Sequence, residues 1–236
     1  MSDQRFAVIG LGQFGSAIAK NLSNRGAEVL AIDSSLEKVE GIKDEVSHAV
    51  ALDATDKKAL LSQNIQDVDA VVVAIGENFQ ALLLCTFLLI ELKVKRIITR
   101  SMGNDQRRIL EKMGVTEILS PEDEVGGNVA EMLINPNVVM CMQLPDDFEI
   151  VEVKAPSAIF GRSLGDIGLR EKYKLNLVTI LRKKEVSSEE HDNSNKDYHI
   201  LGYLIRIQLF KKQILLSYLG LQKTSNVFSR LINKAL

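Results

Sequence analysis

Apolar residues in the N-terminal half of the chain fall in short unbroken runs that polar turn residues separate. Such runs occupy residues 5–9 (RFAVI), 28–32 (EVLAI) and 69–75 (DAVVVAI). Parallel strands covered on both faces have this pattern, because neither face meets water. Stretches of helical length follow the runs, and this alternation predicts a doubly wound α/β domain with a parallel, Rossmann-like sheet. The strands are predicted at residues 5–9, 28–32, 48–52, 69–75, 96–99 and 117–119.

Residues 78–92 (NFQALLLCTFLLIEL) form the most apolar stretch of helical length. A helix that is apolar on nearly every side is buried or faces another subunit. We expect part of this helix to pack on the sheet and part to form a dimer interface. The apolar run at 81–92 is too short to span a bilayer.

The pattern changes after a helix that Pro121 opens and that runs to about residue 134, with Gly126 and Gly127 interrupting it. Prolines at 136 and 145 then break the chain. From residue 148 an alternating segment (EIVEVK) indicates a half-exposed strand. We therefore predict a nucleotide-binding domain at 1–134, a linker or crossover at 135–147 and a smaller α+β domain at 148–236. That second domain becomes atypical after about residue 183, with a polar loop at 183–197, strands near 203–209 and 213–219, and a terminal helix.

Composition narrows the possible partners of this chain of 236 residues. The net charge is −2, Trp is absent and aromatic residues make up 5%, so neither a polyanion-binding surface nor platforms for stacking nucleic-acid bases are indicated, and no nucleic-acid partner is expected. The two cysteines, Cys85 and Cys141, have no metal-binding spacing and are expected to be buried in a protein of the reducing cytosol.

A glycine motif follows the first strand at once, Gly10-Leu11-Gly12-Gln13-Phe14-Gly15, and a helix follows the motif. Strand, glycine turn and helix in this order form a dinucleotide-binding fingerprint. In it Gly10 makes the tight turn, Gly12 lets the backbone approach a pyrophosphate, and Gly15 lets the helix pack on the strand. The phosphates would bind at the helix N-terminus. The motif predicts a nucleotide but not a reaction.

Polar residues at the ends of other strands are expected at the same sheet edge. Asp33 ends the second strand, where the fingerprint has its ribose-hydroxyl acceptor, although Asp33 could instead cap the next helix. Asp53-Ala54-Thr55 follows the third strand. Arg100 ends the fifth strand and could neutralise phosphate, stack on adenine or form a solvent-facing ion pair.

Several of these segments resemble the RCK (regulator of K⁺ conductance) family, the cytosolic subunits of Ktr/Trk-type potassium transporters. The resemblance extends from the start of the chain to about residue 182. It rests on the segments GLGQFG (10–15), AIDSS (31–35), ALDATD (51–56), VVAIGENFQ (72–80), ILSPEDEVG (118–126) and FGRSLGDIGLREKY (160–173).

The resemblance implies a nucleotide switch rather than an enzyme. Family members bind ATP or ADP, or in some cases NAD(H), and form homodimers that assemble into an octameric ring beneath the membrane subunit of a potassium transporter. A cytoplasmic protein peripheral to the inner face of the membrane is therefore expected. The implied cofactor-binding residues are Gly10, Gly12, Gln13, Phe14, Gly15, Asp33, Ser34, Asp53, Ala54, Thr55, Ile75, Gly76, Asn78 and Arg100.

Two further sites are implied by the resemblance alone. Glu122 occupies the place where some members put a carboxylate near the γ-phosphate and a divalent cation, Mg²⁺ or Ca²⁺. Arg170 and Asn176 occupy positions suited to cyclic di-AMP in the second domain. The chain departs from the family by having the neutral Gln13 where several ATP-dependent members carry Arg, and by lacking a proline turn and a Gly-Asp hairpin in its tail.

Two alternative functions remain open from the sequence. An NAD-dependent oxidoreductase would need an acid or base beside the nicotinamide, and the second domain offers only His191 and His199, in or beside a polar loop. An interaction module that binds no nucleotide is the other alternative.

Overall fold

The computed structural model describes residues 4–155, 159–183, 198–201 and 214–221. The chain divides into two compact units, residues 1–124 and 125–236, and each is described by itself. Of the predicted polar loop at 183–197, residues 184–197 lie outside the described residues, as do the predicted strand near 203–209 and the predicted terminal helix.

The first unit is built of strands that alternate with helices, as the sequence predicts. Its strands are β1 (Arg5–Ile9), β2 (Glu28–Asp33), β3 (His48–Ala51), β4 (Ala70–Val73), β5 (Ile97–Arg100) and β6 (Glu117–Leu119). Its helices are α1 (Gln13–Asn24), α2 (Leu36–Glu40), α3 (Lys57–Ser62), α4 (Phe79–Glu91) and α5 (Asn104–Lys112), followed by α6 (Pro121–Ile134), which continues past residue 124. Short 3₁₀ turns lie at Lys43–Glu45 and Ile65–Asp67.

The six strands form one parallel sheet in the order β3-β2-β1-β4-β5-β6. Successive residues of β1 point to opposite faces, so that Ala7 and Ile9 belong to one apolar cluster and Val8 belongs to another. Both faces are therefore covered, which confirms the doubly wound fold. The order of the strands reverses between β1 and β4, and a ligand-binding crevice is expected at that point.

Helix α4 packs on the sheet through one of its faces. Asn78 caps the helix, because its Oδ1 accepts a hydrogen bond from the Ala81 N–H at 3.0 Å. Leu82, Cys85 and Leu89 are buried in the larger cluster, whereas Leu84, Phe87 and Ile90 are exposed. The predicted burial against the sheet is confirmed, and the predicted dimer interface stays a prediction.

The strands of the second unit are β7 (Val138–Gln143), β8 (Phe148–Lys154), β9 (Asn176–Lys183), β10 (Tyr198–Leu201) and β11 (Ile214–Leu221). They form an antiparallel sheet in the order β10-β9-β11-β8-β7. Its core includes Leu175, Ile180, Leu216 and Tyr218, none more than 1% exposed. Ser163 caps the first short helix in a capping box with Asp166. The short helices described after α6 are α7 (Leu164–Ile167) and α8 (Leu169–Tyr173).

Three details differ from the sequence-based expectation. Strand β7 lies inside the stretch 135–147 that we expected as a linker, because the apolar run that follows the turn pairs with β8. Helix α6 continues through Gly126 and Gly127, since each glycine weakens a helix by only about 1 kcal/mol. The boundary between compact units falls within α6 rather than after residue 134.

The two cysteines are buried as expected. Burial raises the pKa of both Cys85 and Cys141 to about 12. Both side chains therefore stay as thiols at neutral pH and act as small apolar residues. Within the described part of the chain, no helix is long and apolar enough to cross a membrane.

The packing of α1 on the glycine turn yields a stability prediction. A β-carbon at Gly15 would lie 1.8 Å from the Gly10 carbonyl oxygen, so Gly15→Ala should lower the free energy of unfolding by about 3 kcal/mol or more. A β-carbon at Gly12 would have no described neighbour within 4 Å, and Gly12→Ala should cost less than about 1 kcal/mol, the difference between Gly and Ala as N-cap residues. Urea unfolding measures both, and equal losses would contradict this packing.

Candidate functional site

The glycine turn is held between two strands. Gly10 has a φ of +96°, and its N–H donates to the Ile32 carbonyl at 2.8 Å. A β-carbon at Gly10 would lie 2.9 Å from the Ile75 nitrogen. Both the positive φ and the close backbone therefore require glycine at this position.

Helix α1 starts directly after this turn with Gly12 at its N-cap. In the described structure the first turn has no side-chain cap and no acidic residue. Its N–H groups therefore lack the partners that usually satisfy a helix N-terminus, and the helix dipole favours an anion there.

A cavity of about 830 Å³ opens beside this helix end, at the carboxyl edge of the sheet. Its volume is within the range of about 300–1,000 Å³ that is typical of small-molecule sites. The cavity brings together nearly all the predicted site residues. Those that line it are Gly10, Gly12, Gln13, Phe14, Asp33, Ser34, Asp53, Ala54, Thr55, Ile75, Gly76, Asn78, Arg100 and Glu122.

Gly15 is the predicted cofactor-binding residue that does not line this cavity. It is buried beneath the turn, against the Gly10 carbonyl. Gly15 thus lets α1 approach the turn, which is the packing role that the fingerprint predicts, and its part in cofactor binding stays a prediction.

Asp33 connects the glycine turn to β2. Its side chain is 8% exposed, its Oδ2 accepts from the Leu11 N–H at 2.7 Å, and its Oδ1 accepts from the Ser35 N–H at 2.9 Å. Lys38 Nζ lies 3.6 Å from Oδ2. The capping role that we left open for Asp33 belongs instead to Ser35, whose side chain accepts from the Lys38 N–H.

Asp53 lies on the opposite side of the switch point from Arg100, after β3. Its Oδ1 accepts from the Thr55 N–H at 2.9 Å and from the Thr55 hydroxyl at 2.7 Å. These two hydrogen bonds lower the pKa of the Asp53 carboxyl. Asp53 is therefore an ionised acceptor at neutral pH.

Arg100 forms the wall of the cavity that faces the glycine turn. Its guanidinium carbon lies 5.5 Å from the centre of the Phe14 ring, a cation–π distance. A β-carbon at Gly76 would lie 3.0 Å from its Nη1, so a larger side chain at position 76 would displace the guanidinium. Arg100 Nη2 donates to the Glu122 carboxylate.

Glu122 is the second residue of α6 and is exposed. A hydrogen bond to its own backbone N–H and its contact with Arg100 lower the pKa of the Glu122 carboxyl. Within the described ranges, no three His, Cys, Asp or Glu side chains are placed to share a metal ion. A cation at Glu122 would therefore need further ligands from a nucleotide.

Sequence reasoning missed three polar or flexible residues of the cavity wall, Lys38, Glu77 and Met102. Lys38 lies in the first turn of α2, close behind Asp33, and this spacing could have indicated it. The other two lie in turns whose direction the hydrophobic pattern does not determine. The remaining wall is apolar backbone and side chain from Ile9, Leu52, Ala74 and Ala81.

The two residues expected to bind cyclic di-AMP lie together in the second unit. Arg170 Nε donates to Asn176 Oδ1 at 3.0 Å. Both line a cavity of about 760 Å³ beside α7 and α8.

The first unit is a Rossmann-type nucleotide-binding domain, because its strand order, glycine turn and acidic residue after β2 lie in the register of that fold. The TrkA-N domain matches residues 6–121. Ktr system potassium uptake protein C of Bacillus subtilis is 36% identical over 90% of this chain and 98% of the relative. Ktr system potassium uptake protein A of the same species is 38% identical over 76% of this chain and 81% of the relative, and that of Vibrio alginolyticus is 32% identical over 71% and 76%. The chain belongs to this family of TrkA-N-domain potassium uptake proteins, which confirms the RCK resemblance.

Solved structures share the fold. The GsuK channel bound to NAD has a TM-score of 0.66 and 12% identity over 98% of this chain, and the GsuK RCK domain has a TM-score of 0.54 and 20% identity over 99%. The chain spans 40% of the length of the GsuK channel chain and 47% of that of the GsuK RCK domain chain. At these identities the likeness concerns the fold alone.

The contacts of Asp33 yield a prediction that needs no ligand. Asp33→Ala leaves two backbone N–H groups without their carboxylate acceptor, and should lower the free energy of unfolding by about 1–3 kcal/mol for each donor left unsatisfied. The matched control is Asp53→Ala, whose exposed carboxylate should cost less than about 1 kcal/mol. Urea unfolding without nucleotide measures both, and an equal loss in the two variants would rule out an anchoring role for Asp33.

Proposed function

We propose that this protein is a nucleotide-responsive regulatory subunit of a Ktr/Trk-type potassium transporter, and not an enzyme. The observation that carries the proposal is the cavity at the uncapped N-terminus of α1, where the glycine turn, Asp33, Asp53 and Arg100 converge. Membership of the potassium uptake family supports the transporter partner. The protein would act at the cytoplasmic face of the membrane that holds this partner.

The ligand that we propose is an adenine nucleotide, ATP or ADP, or else NAD(H). Its phosphates would take the N–H groups of the first turn of α1, and Arg100 would supply the positive charge. Asp33 and Asp53 would accept hydrogen bonds from ribose and base. The NAD-bound GsuK channel supports a dinucleotide as one candidate, because it has the same fold.

The mechanism that we propose is a shift between two conformational populations. Two nucleotides would occupy the same cavity but contact its charged wall differently. The free energy available for gating cannot exceed the difference of their affinities between the two states.

Assembly, further ligands and domain limits complete the proposal. Exposed apolar residues on α4 (Leu84, Phe87) and on α6 (Val125, Val129, Leu133) support burial in a homodimer. We propose, from the family resemblance, that such dimers assemble into an octameric ring. We retain residues 1–134 as the nucleotide-binding domain and 148–236 as the second domain, with β7 from the stretch between them joined to the sheet of the second domain. Mg²⁺ or Ca²⁺ would bind between Glu122 and nucleotide phosphates, and cyclic di-AMP would bind near Arg170 and Asn176.

Nucleotide binding is tested by calorimetry with ATP, ADP, NAD⁺ and NADH. The wild-type protein should bind at least one of them, and Gly12→Asp should weaken that binding by about 100-fold or more, because the new carboxylate would take the place of a phosphate. Gly12→Ala is the control for a side chain without charge, and should retain more affinity. Retention of the wild-type thermal shift with nucleotide in Gly12→Asp would remove the glycine turn from the site.

The regulatory role has its own test, in cells that depend on a Ktr-type membrane subunit for potassium uptake. Co-expression of the wild-type protein should raise the rate of potassium uptake, and Gly12→Asp should remove this nucleotide-dependent increase. In parallel, chromatography of nucleotide incubated with the protein should recover it unchanged. Conversion of NAD(H) with an added alcohol or hydroxy acid would favour the oxidoreductase, and absence of all nucleotide binding would favour the interaction module.

A further inference from the structure

The cavity contains cations, but each of them already has an anionic partner. Its two cationic side chains are Lys38 and Arg100. Lys38 lies 3.6 Å from Asp33, and Arg100 is bonded to Glu122. The glycine turn adds the neutral Gln13. Among the described residues that line this cavity, a phosphate therefore meets no positive side chain without a carboxylate beside it.

Arg100 is the cation that lies at the phosphate end of the cavity. Its guanidinium packs against Phe14, which belongs to the first turn of α1, where the helix N–H groups would hold phosphate. Lys38 lies beside Asp33, at the end where ribose is expected. A phosphate that gains a side-chain cation would thus gain Arg100, and would meet Glu122 as its competitor.

A phosphate can replace the Glu122 carboxylate as the partner of Arg100. The Glu122 side chain is 51% exposed, whereas that of Arg100 is 18% exposed, so the carboxylate can return to water while the guanidinium needs an anion in its place. The buried Nε–H of Arg100 has no hydrogen-bond acceptor within the described residues, so the Glu122 contact leaves part of the guanidinium unsatisfied. A phosphate can accept from two guanidinium N–H groups at once and forms a stronger, charge-assisted contact.

We propose that Glu122 is a specificity-determining competitor that holds Arg100 until a nucleotide phosphate displaces it. This inference rests on the proposed function of the cavity. Nucleotide affinity would then depend on the charge of the phosphate chain, because only an anion can replace Glu122 as the partner of Arg100. Adenosine would leave the pair intact.

The test is calorimetry with ADP, ATP and adenosine in EDTA. Glu122→Gln removes the charge while keeping the size of the side chain, and it should raise the affinity for ADP and ATP by about threefold or more while changing that for adenosine less than about twofold. Arg100→Gln should lower ADP and ATP affinity. In the double variant, Glu122→Gln should give no further gain, because the residue for which it competes is gone.

Glu77→Gln is the matched control, since Glu77 lines the same cavity and has no ion-pair partner among the described residues within 4.0 Å. If removal of any negative charge sufficed, Glu77→Gln would give the same gain, and the gain of Glu122→Gln would persist with Arg100→Gln. Either result overturns the competition. Working in EDTA separates it from a cation-ligand role of Glu122, whose loss would lower affinity only in Mg²⁺ or Ca²⁺.

The outcomes also separate this inference from the proposed function. If the wild-type protein binds none of the charged nucleotides, the proposed function fails and the competition fails with it. If the wild-type protein binds ADP or ATP but Glu122→Gln binds them no more tightly, the competition alone is wrong. The unfolding midpoints of Glu122→Gln and Glu77→Gln should match that of the wild type, so that their affinity differences report on the cavity.

Discussion

The 2.7 Å hydrogen bond from the Leu11 N–H to the Asp33 carboxylate is the contact on which the geometry of the cavity depends. The glycine turn, with its positive φ at Gly10 and close backbone on both sides, is held by contacts with neighbouring segments. The carboxylate at the end of β2 holds it from one side, and the approach of Gly15 holds it from below. Because a buried carboxylate is costly unless it is satisfied, the same bonds also stabilise Asp33. Turn and acid are thus interdependent, and a change in Asp33 affects the turn as well as any ribose.

This interdependence limits what Asp33 can still offer to a ligand. Both of its oxygens already accept backbone hydrogen bonds, and Lys38 lies close to one of them. A carboxylate has about four lone-pair sites, so capacity remains for a ribose hydroxyl. A ribose hydroxyl would therefore bind a carboxylate that already has partners in the Leu11 N–H, the Ser35 N–H and Lys38. Affinity losses in variants of Asp33 therefore combine two effects, and unfolding measured without ligand separates them.

The sequence predicts the residues of the sheet edge well because a parallel sheet collects them by topology. Gly10, Asp33, Asp53 and Arg100 each follow or end a strand, and the carboxyl ends of parallel strands share one edge. The unbroken apolar runs located these strands within one or two residues. Strand β7 was missed although residues 138–142 (VVMCM) are all apolar, because the prolines at 136 and 145 make the short segment between them resemble a connection. Lys38, Glu77 and Met102 were missed because helices and turns bring them to the cavity without a periodic signal.

The bond between Arg100 and Glu122 lies beyond what sequence patterns can predict. The two residues belong to β5 and α6, and their meeting depends on the register that places Arg100 opposite Leu119 on β6, two residues before the helix starts. From the sequence, each residue was an exposed charge with several possible roles. In the structure they share one bond, and this changes how the neutral Gln13 is understood. A cation in the glycine turn would be fixed beside the phosphate, whereas Arg100 reaches it from another strand and must first leave Glu122. Under the proposed competition, the positive charge of this cavity becomes available only when Arg100 leaves Glu122, and such a site would distinguish ligands by their phosphate charge.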